Sequence, residues 1–199
     1  MRRRRQITDR TRAAMLSVPR PLFLPDDVRA YAAEDRPLPI GHGQTNSQPT
    51  TVAHMLSQLD PQPGDRVLDV GSGSGWTTAL LAHLVGRQDL VYAVERVPEL
   101  VELARTQLTA ADFGQVTLEQ ADPEVLGMPS RAPFDRILVS AEAPSLPDPL
   151  VQQLAAGGRL VIPVAGRVLV IDRLRSGKIR VRPLGRYAFV PLRWTGRGV

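Results

Sequence analysis

The sequence predicts an α/β protein organised around a Rossmann-like, doubly wound sheet, and three observations carry that prediction. From residue 64 onward, short β-branched runs alternate with segments of helical period, the pattern of a mostly parallel sheet covered by helices. A glycine-rich turn, Gly71-Ser72-Gly73-Ser74-Gly75, stands between the first such run and the first such helix. The 199 residues, 43% hydrophobic and 23% charged, suit one compact fold and exclude a disordered chain.

The elements follow in order. Residues 1–60, rich in proline, read as an N-terminal helical cap that also carries a substrate loop, and residues 61–199 as the sheet-bearing core. Val67-Leu68-Asp69-Val70 is a buried first strand. Trp76, Leu80, Leu81, Leu84 and Val85 then recur at helical spacing, and Gly86 is placed to end that helix. Residues 90–94 form the second strand, and Pro98, Leu100, Val101, Ala104 and Leu108 mark the second helix, with proline at its first turn. Residues 116–118 and 134–139 are the third and fourth strands. A brief helix over 150–154, a Gly157-Gly158 turn and a fifth strand over 159–164 come next. Residues 168–174, a Ser176-Gly177 turn and the alternation of Ile179 and Val181 with Arg180 and Arg182 give a C-terminal hairpin with one arginine-bearing face.

Composition excludes several chemistries. Without cysteine there is no disulfide framework, thiolate metal site or thiol nucleophile, and His42, His54 and His83 are too scattered to suggest zinc, so no metal is expected. No apolar run reaches membrane-spanning length, and Arg2 to Arg5 are followed by polar residues rather than a signal-peptide core, so a cytoplasmic protein with no membrane partner is expected. The net charge of +5 is unevenly spread: +3 over residues 1–60, −7 over 61–150 and +9 over 151–199. With 24 of 25 basic residues arginine, a solvated face explains the basic end as well as a polyanion does, and nucleic acid is not the expected partner. A monomer is expected.

The glycine turn is the most informative segment. Its Gly-x-Gly-x-Gly spacing differs from the Gly-x-Gly-x-x-Gly that seats a pyrophosphate, and Asp69 just before it would repel a diphosphate while suiting a ligand with a cationic amine. S-adenosylmethionine is such a ligand. Gly71, Ser72, Gly73 and Gly75 would let it approach the backbone, Glu95, 20 residues past Gly75, is placed to accept from its ribose, and Asp122 to meet its adenine amino group. The predicted fold is thus of the class I S-adenosylmethionine-dependent methyltransferase type.

The methyl acceptor is narrowed by elimination. The segment after the fourth strand, Ser140-Ala141-Glu142-Ala143-Pro144, lacks the Asn/Asp-Pro-Pro-aromatic turn common in nucleobase amine methylation. Thiolate-assisted carbon methylation needs a cysteine, and catechol-type transfer needs a metal cluster for which no spacing is found. A carboxylate acceptor, ionised near pH 7, needs neither base nor metal.

Here the chain resembles a known family. Gly43-Gln44-Thr45-Asn46-Ser47-Gln48-Pro49 is similar to the Gly-Gln-Thr-Ile-Ser-x-Pro segment of protein-L-isoaspartate O-methyltransferases. The likeness continues through Val18-Pro19-Arg20, Leu38-Pro39-Ile40-Gly41, the glycine turn, Val94-Glu95-Arg96, Ala132-Pro133-Phe134-Asp135, Gly157-Gly158-Arg159-Leu160 and Phe189-Val190-Pro191-Leu192, in order. The resemblance implies that Ser47 is the active-site serine, that Gln44 joins the cofactor contacts with Arg96, and that Thr45, Asn46 and Ser47 form the substrate loop. It also implies methylation of the α-carboxyl of L-isoaspartyl residues, in repair of damaged proteins or peptides. Three segments depart from the family pattern: Ala121-Asp122-Pro123 replaces glycines on both sides of the aspartate, removing one backbone donor, Leu126-Gly127-Met128-Pro129 stands in the region of the usual Gly-Trp-Pro-like continuation, and Asn46 stands where a hydrophobic residue is usual. On residues alone, Ser47 as a mere helix cap stays open. So do a peptide-tailoring aspartate methyltransferase and a catalytically weak RNA- or protein-binding module, and Arg180 and Arg182 as contacts for acidic peptides stand beside a plain solvated face.

Overall fold

The computed structural model of the protein describes residues 6–195, so the arginine run Arg2 to Arg5 lies outside the described residues. The N-terminal part contains α1 (Asp9–Ser17), a 3-10 turn (Arg20–Phe23), α2 (Asp26–Arg29), β1 (Leu38–Gly41), β2 (Gln44–Asn46) and α3 (Pro49–Leu59). The core follows with β3 (Val67–Val70), α4 (Trp76–Val85), β4 (Val91–Glu95), α5 (Pro98–Ala110), β5 (Thr117–Gln120), β6 (Phe134–Val139), α6 (Asp148–Gln152), β7 (Leu154–Val164), β8 (Arg167–Arg173) and β9 (Ile179–Arg186). Seven strands form one sheet in the order β5-β4-β3-β6-β7-β8-β9. The pairings β5-β4-β3-β6-β7 are parallel, and β8 and β9 extend the sheet antiparallel.

The chain leaves β3 toward β4 and β5, then returns to place β6 on the other side of β3, so the strand order reverses between β3 and β6. Crevices at such switch points, beyond the carboxyl ends of the strands, are where open α/β sheets bind ligands. Strand alternation divides the core into two layers. Val67, Val91, Leu138 and Val161 pack with residues of α1, α3, α4 and α5, while Leu68, Val70, Val94, Ile137 and Val139 pack with Leu126, Met128 and Leu150 on the opposite face. Because Ala14 of α1 and Val52, Leu56 and Leu59 of α3 share the first layer with Leu80 and Leu81 of α4, packing runs uninterrupted across residue 60.

Several expectations are corrected. The N-terminal part is not purely helical: β1 and β2 pair antiparallel across a turn in which His42 and Gly43 both have positive φ, and this hairpin carries Gln44, Thr45 and Asn46. Gly157-Gly158 is not a turn ahead of a strand but lies inside β7, where the register against β6 shifts. A Cβ at Gly158 would come within 2.9 Å of the Ala155 carbonyl oxygen and 3.1 Å of those of Phe134 and Asp135, so backbones pass here at a distance only glycine tolerates.

Arg180 and Arg182 do not form a free cationic face. Both turn to Asp172 on the neighbouring strand, Arg180 Nη2 at 3.0 Å and Arg182 Nε at 3.5 Å, and Arg159 Nε reaches its other oxygen at 2.6 Å. Burial alone would push the Asp172 carboxyl up, but the hydrogen bond and charge of Arg159, the Arg180 bond and the Arg182 charge together hold it below its ordinary value. Arg180 remains exposed beside this ion pair, and Ile179 and Val181 add exposed apolar side chains to the same strand.

Candidate active site

Local backbone demands build the donor side of the cleft. Gly71, Gly73 and Gly75 have φ of 80°, 54° and 93°, a region that favours glycine, and so carry the chain from β3 around into α4. Gly71 N and Ser72 N donate to the Val94 carbonyl at 2.8 and 3.2 Å, which ties the turn to the end of β4. Gly75 packs against α5 rather than the cleft: a Cβ there would lie 3.1 Å from Leu108 Cγ. Glu95, buried at that strand end, accepts from Gly73 N at 2.9 Å through Oε2 and from Arg96 N and Val97 N at 2.8 and 3.0 Å through Oε1. A carboxylate offers about four acceptor sites. The expectation that Glu95 meets both ribose hydroxyls therefore narrows to the remaining capacity of Oε2.

These groups line a cleft of about 940 Å³, counting its open mouth. Of the residues expected at the site, Gln44, Thr45, Asn46, Ser47, Gly71, Ser72, Gly73, Glu95, Arg96 and Asp122 line it. Asp69 does not. Alternation along β3 turns its side chain to the α4 face, where Oδ2 accepts from the hydroxyls of Thr77 and Thr78 at 2.8 and 2.7 Å and Oδ1 has no partner. Fully buried, its carboxyl is pushed up to about 6, chiefly by desolvation and further by the Glu95 charge, against the pull of the two threonine hydrogen bonds. Ser72 Oγ, on the cleft wall, is buried and also unpartnered. Orphaned buried acceptors are costly, and a ligand with an ammonium or sulfonium charge over this turn would offset that cost.

The acceptor side is the segment after β2. The helix cap that α3 would need from Ser47 is absent: its N-cap is Gln48, without a side-chain cap bond. Ser47 is instead held through its carbonyl, which accepts from Arg20 Nη2 at 3.1 Å. Arg20 is a residue whose role sequence reasoning missed. Only 4% exposed, it also donates to Asn46 Oδ1 at 2.8 Å and to the carbonyls of Ala32, Glu34, Arg36 and Asn46 at 2.9 to 3.3 Å. Thus a single guanidinium organises the whole approach to the loop.

Also missed was the C-terminal segment. Glu142 N donates to the Val190 carbonyl at 2.8 Å and Leu192 N to the Glu142 carbonyl at 2.7 Å, bringing residues 190–194 into the cleft wall. Thr195 N and Oγ1 then donate to the Pro123 carbonyl at 2.9 and 2.8 Å, and Trp194 Nε1 to that of Glu124 at 3.2 Å. Asp122 Oδ1 closes a tight turn onto Glu124 N at 2.8 Å. The loop that carries proline in place of glycine is thereby pinned from outside. Among the described residues no group of three or more His, Cys, Asp or Glu is placed to hold a metal ion.

A parallel sheet with its switch point between β3 and β6, a glycine turn at the end of β3 and an acidic residue at the end of β4 define a class I S-adenosylmethionine-dependent methyltransferase. A family model described as protein-L-isoaspartate(D-aspartate) O-methyltransferase matches residues 1–196. The chain is 51% identical over 183 residues to the protein-L-isoaspartate O-methyltransferase of Aeropyrum pernix, covering 90% of this chain and 70% of that one. It is 46% identical over 197 residues to that of Hyperthermus butylicus, covering 93% and 81%. A crystal structure of a protein-L-isoaspartate O-methyltransferase from Plasmodium falciparum in complex with S-adenosyl-L-homocysteine matches with a TM-score of 0.84 at 28% identity, covering 98% of this chain and 94% of that one. The chain belongs to the protein-L-isoaspartate(D-aspartate) O-methyltransferase family, and S-adenosylmethionine is its methyl donor.

Proposed function

We propose that the cleft esterifies the α-carboxylate of L-isoaspartyl residues in damaged polypeptides, with Ser47 as the residue that holds the carboxylate. The observation that carries this reading is the placement of Ser47: released from helix capping, fixed through its backbone by Arg20, and lining the same cleft as the glycine turn. S-adenosylmethionine supplies, when bound, a methyl group on a positively charged sulfur.

The chain's own residues do the rest. Ser72, Oε2 of Glu95 and Asp122 bind the donor, with Gln44 and Arg96 at its edge, and the Asp69 charge beneath the turn favours its cationic end. The hydroxyls of Thr45 and Ser47 hydrogen-bond the acceptor carboxylate without neutralising it, which leaves an oxygen nucleophilic. Since that carboxylate is ionised near pH 7, no base is required, and catalysis consists of alignment and exclusion of water. One carboxylate oxygen forms the new bond to carbon as the carbon–sulfur bond breaks, its electron pair staying on sulfur. In the ester the leaving group is methoxide rather than oxide, so the neighbouring backbone nitrogen closes a succinimide with loss of methanol, and hydrolysis of the ring returns part of the material as normal aspartate.

The same reading has a monomer acting on polypeptides in the cytoplasm. Among the described residues no helix is long and apolar enough to cross a membrane. Asp172 draws Arg159, Arg180 and Arg182 into ion pairs, and nucleic acid is not the partner this reading assigns.

The test presents an L-isoaspartyl peptide and its normal aspartyl twin with radiolabelled S-adenosylmethionine. Base-labile label is expected on the isoaspartyl peptide alone, with kcat lower by about a hundredfold in Ser47→Ala, the usual loss for one preorganised donor. Equal labelling of the twins would overturn the substrate assignment, and an unchanged Ser47→Ala would overturn the role of the serine.

A further inference from the structure

A buried polar chain runs from the N-terminal part into the glycine turn. Arg20 Nε donates to Asn46 Oδ1 at 2.8 Å, and Asn46 Nδ2 donates to Ser74 Oγ at 3.2 Å. Asn46 and Ser74 are 5% and 2% exposed, as deeply buried as Arg20 at 4%. The orientation of the amide follows from chemistry: a guanidinium only donates, so the atom facing Arg20 is the oxygen, which sends the NH₂ group to the serine. Asn46 ends β2 and immediately precedes Ser47. Ser74 follows Gly73, whose N–H is held by Glu95. The Asn46–Ser74 bond therefore joins the acceptor loop directly to the donor turn.

A short side chain with both polar ends satisfied in a water-poor setting fixes the separation of the elements it bridges, because displacing either leaves an unpaired buried group. Both polar ends of Asn46 are already taken, so a direct contact to the peptide is not its main office. We propose that Asn46 is a positioning residue: through Ser74 it sets the distance between acceptor loop and donor turn, so that filling one half of the cleft favours filling the other. This inference rests on the cleft binding S-adenosylmethionine and an isoaspartyl peptide as described above. It follows by linkage that the donor-side product and the peptide each raise the other's affinity by the same factor.

The experiment measures the dissociation constant of S-adenosylhomocysteine by calorimetry, alone and with a saturating L-isoaspartyl peptide. The wild type is expected to bind at least about fivefold tighter with peptide present. In Asn46→Leu and in Ser74→Ala, which removes only the far partner, the ratio falls toward one and kcat falls more than the peptide KM rises. Asn46→Asp keeps an acceptor for Arg20 and lets the Ser74 hydroxyl reverse and donate, so it retains coupling; a residue that merely filled space would be replaced better by leucine. A wild-type ratio of one, an Asn46→Leu ratio equal to that of the wild type, or an Asp variant as uncoupled as the Leu variant overturns the proposal. A wild type that fails to methylate the isoaspartyl peptide at all overturns instead the substrate reading on which the proposal stands.

Discussion

Asp69→Asn should melt higher than the wild type in the absence of ligand at pH 7.5, while binding S-adenosylmethionine about tenfold more weakly. The Asp69 carboxyl is fully buried, its Oδ1 has no partner, and its pKa is pushed up to about 6 from an ordinary 3.8. A raised carboxyl pKa means that the fold penalises the ionised form. Below about pH 4 the group is protonated in folded and unfolded chains alike and costs nothing. Between 4 and 6 the folded chain holds the proton more tightly, and above 6 the group is ionised in both, with the full penalty of up to roughly 3 kcal/mol. Stability from this group thus falls as pH rises through that window, opposite to a paired carboxylate such as Asp172. Asparagine removes the charge but leaves its amide nitrogen unpaired where Oδ1 stands, which offsets part of the gain, so the net rise is on the order of 2–5 °C for a chain of this size. The same charge is what a cationic ligand above the turn would find favourable, so wild-type affinity for S-adenosylmethionine should weaken as pH falls below 6, whereas the variant's affinity stays flat. Calorimetric titrations from pH 5 to 8, with melting curves alongside, measure both effects. Parallel pH profiles for the two proteins would show that Asp69 is only a structural acceptor for Thr77 and Thr78.

Arg20→Met should lose about 3–5 kcal/mol of stability and nearly all methyl transfer. Among the described residues the side chain makes six hydrogen bonds, five of them to backbone carbonyls and none to a carboxylate. Burial, partly offset by Asp35, pushes its pKa down to about 10, so it stays charged at pH 7. Methionine matches the length of the stem but leaves those acceptors unpaired in a region that water barely reaches. Arg20→Lys restores charge without the fork and can serve only three acceptors, so its stability should fall in between while the loop remains misplaced. Assayed well below the melting temperature, both variants should keep measurable S-adenosylhomocysteine binding, since the glycine turn is held separately by Val94 and Glu95. Wild-type turnover in Arg20→Met would refute the organising role.

The parts of the site that sequence reasoning reached are those fixed by local backbone needs. Glycines at positive φ, the ends of β3 and β4 and the acidic residue closing β4 are written in consecutive residues. What escaped depends on contacts between distant segments. Arg20 meets partners 12 to 27 residues away, and residues 190–194 reach the cleft through pairing with Glu142. Arg180 is as exposed as the strand alternation implies, but its ion pair with Asp172 lies across a hairpin register that consecutive residues do not disclose. Asp69 is the instructive case. Its importance was legible from its place before the turn, yet the strand alternation already visible in Val67-Leu68-Asp69-Val70 sends its side chain away from the cleft wall, and only the hydroxyls of Thr77 and Thr78 on α4 disclose where it goes.

A cocrystal structure with S-adenosylhomocysteine and an L-isoaspartyl peptide tests most directly whether the glycine turn and the Ser47 loop work as one site. The thioether is expected over Gly71 to Gly73, the ribose on Glu95, and the isoaspartyl α-carboxylate hydrogen-bonded to Ser47 with one oxygen facing the sulfur. A peptide whose carboxylate lies away from Ser47, with that serine turned out of the cleft, would contradict this arrangement.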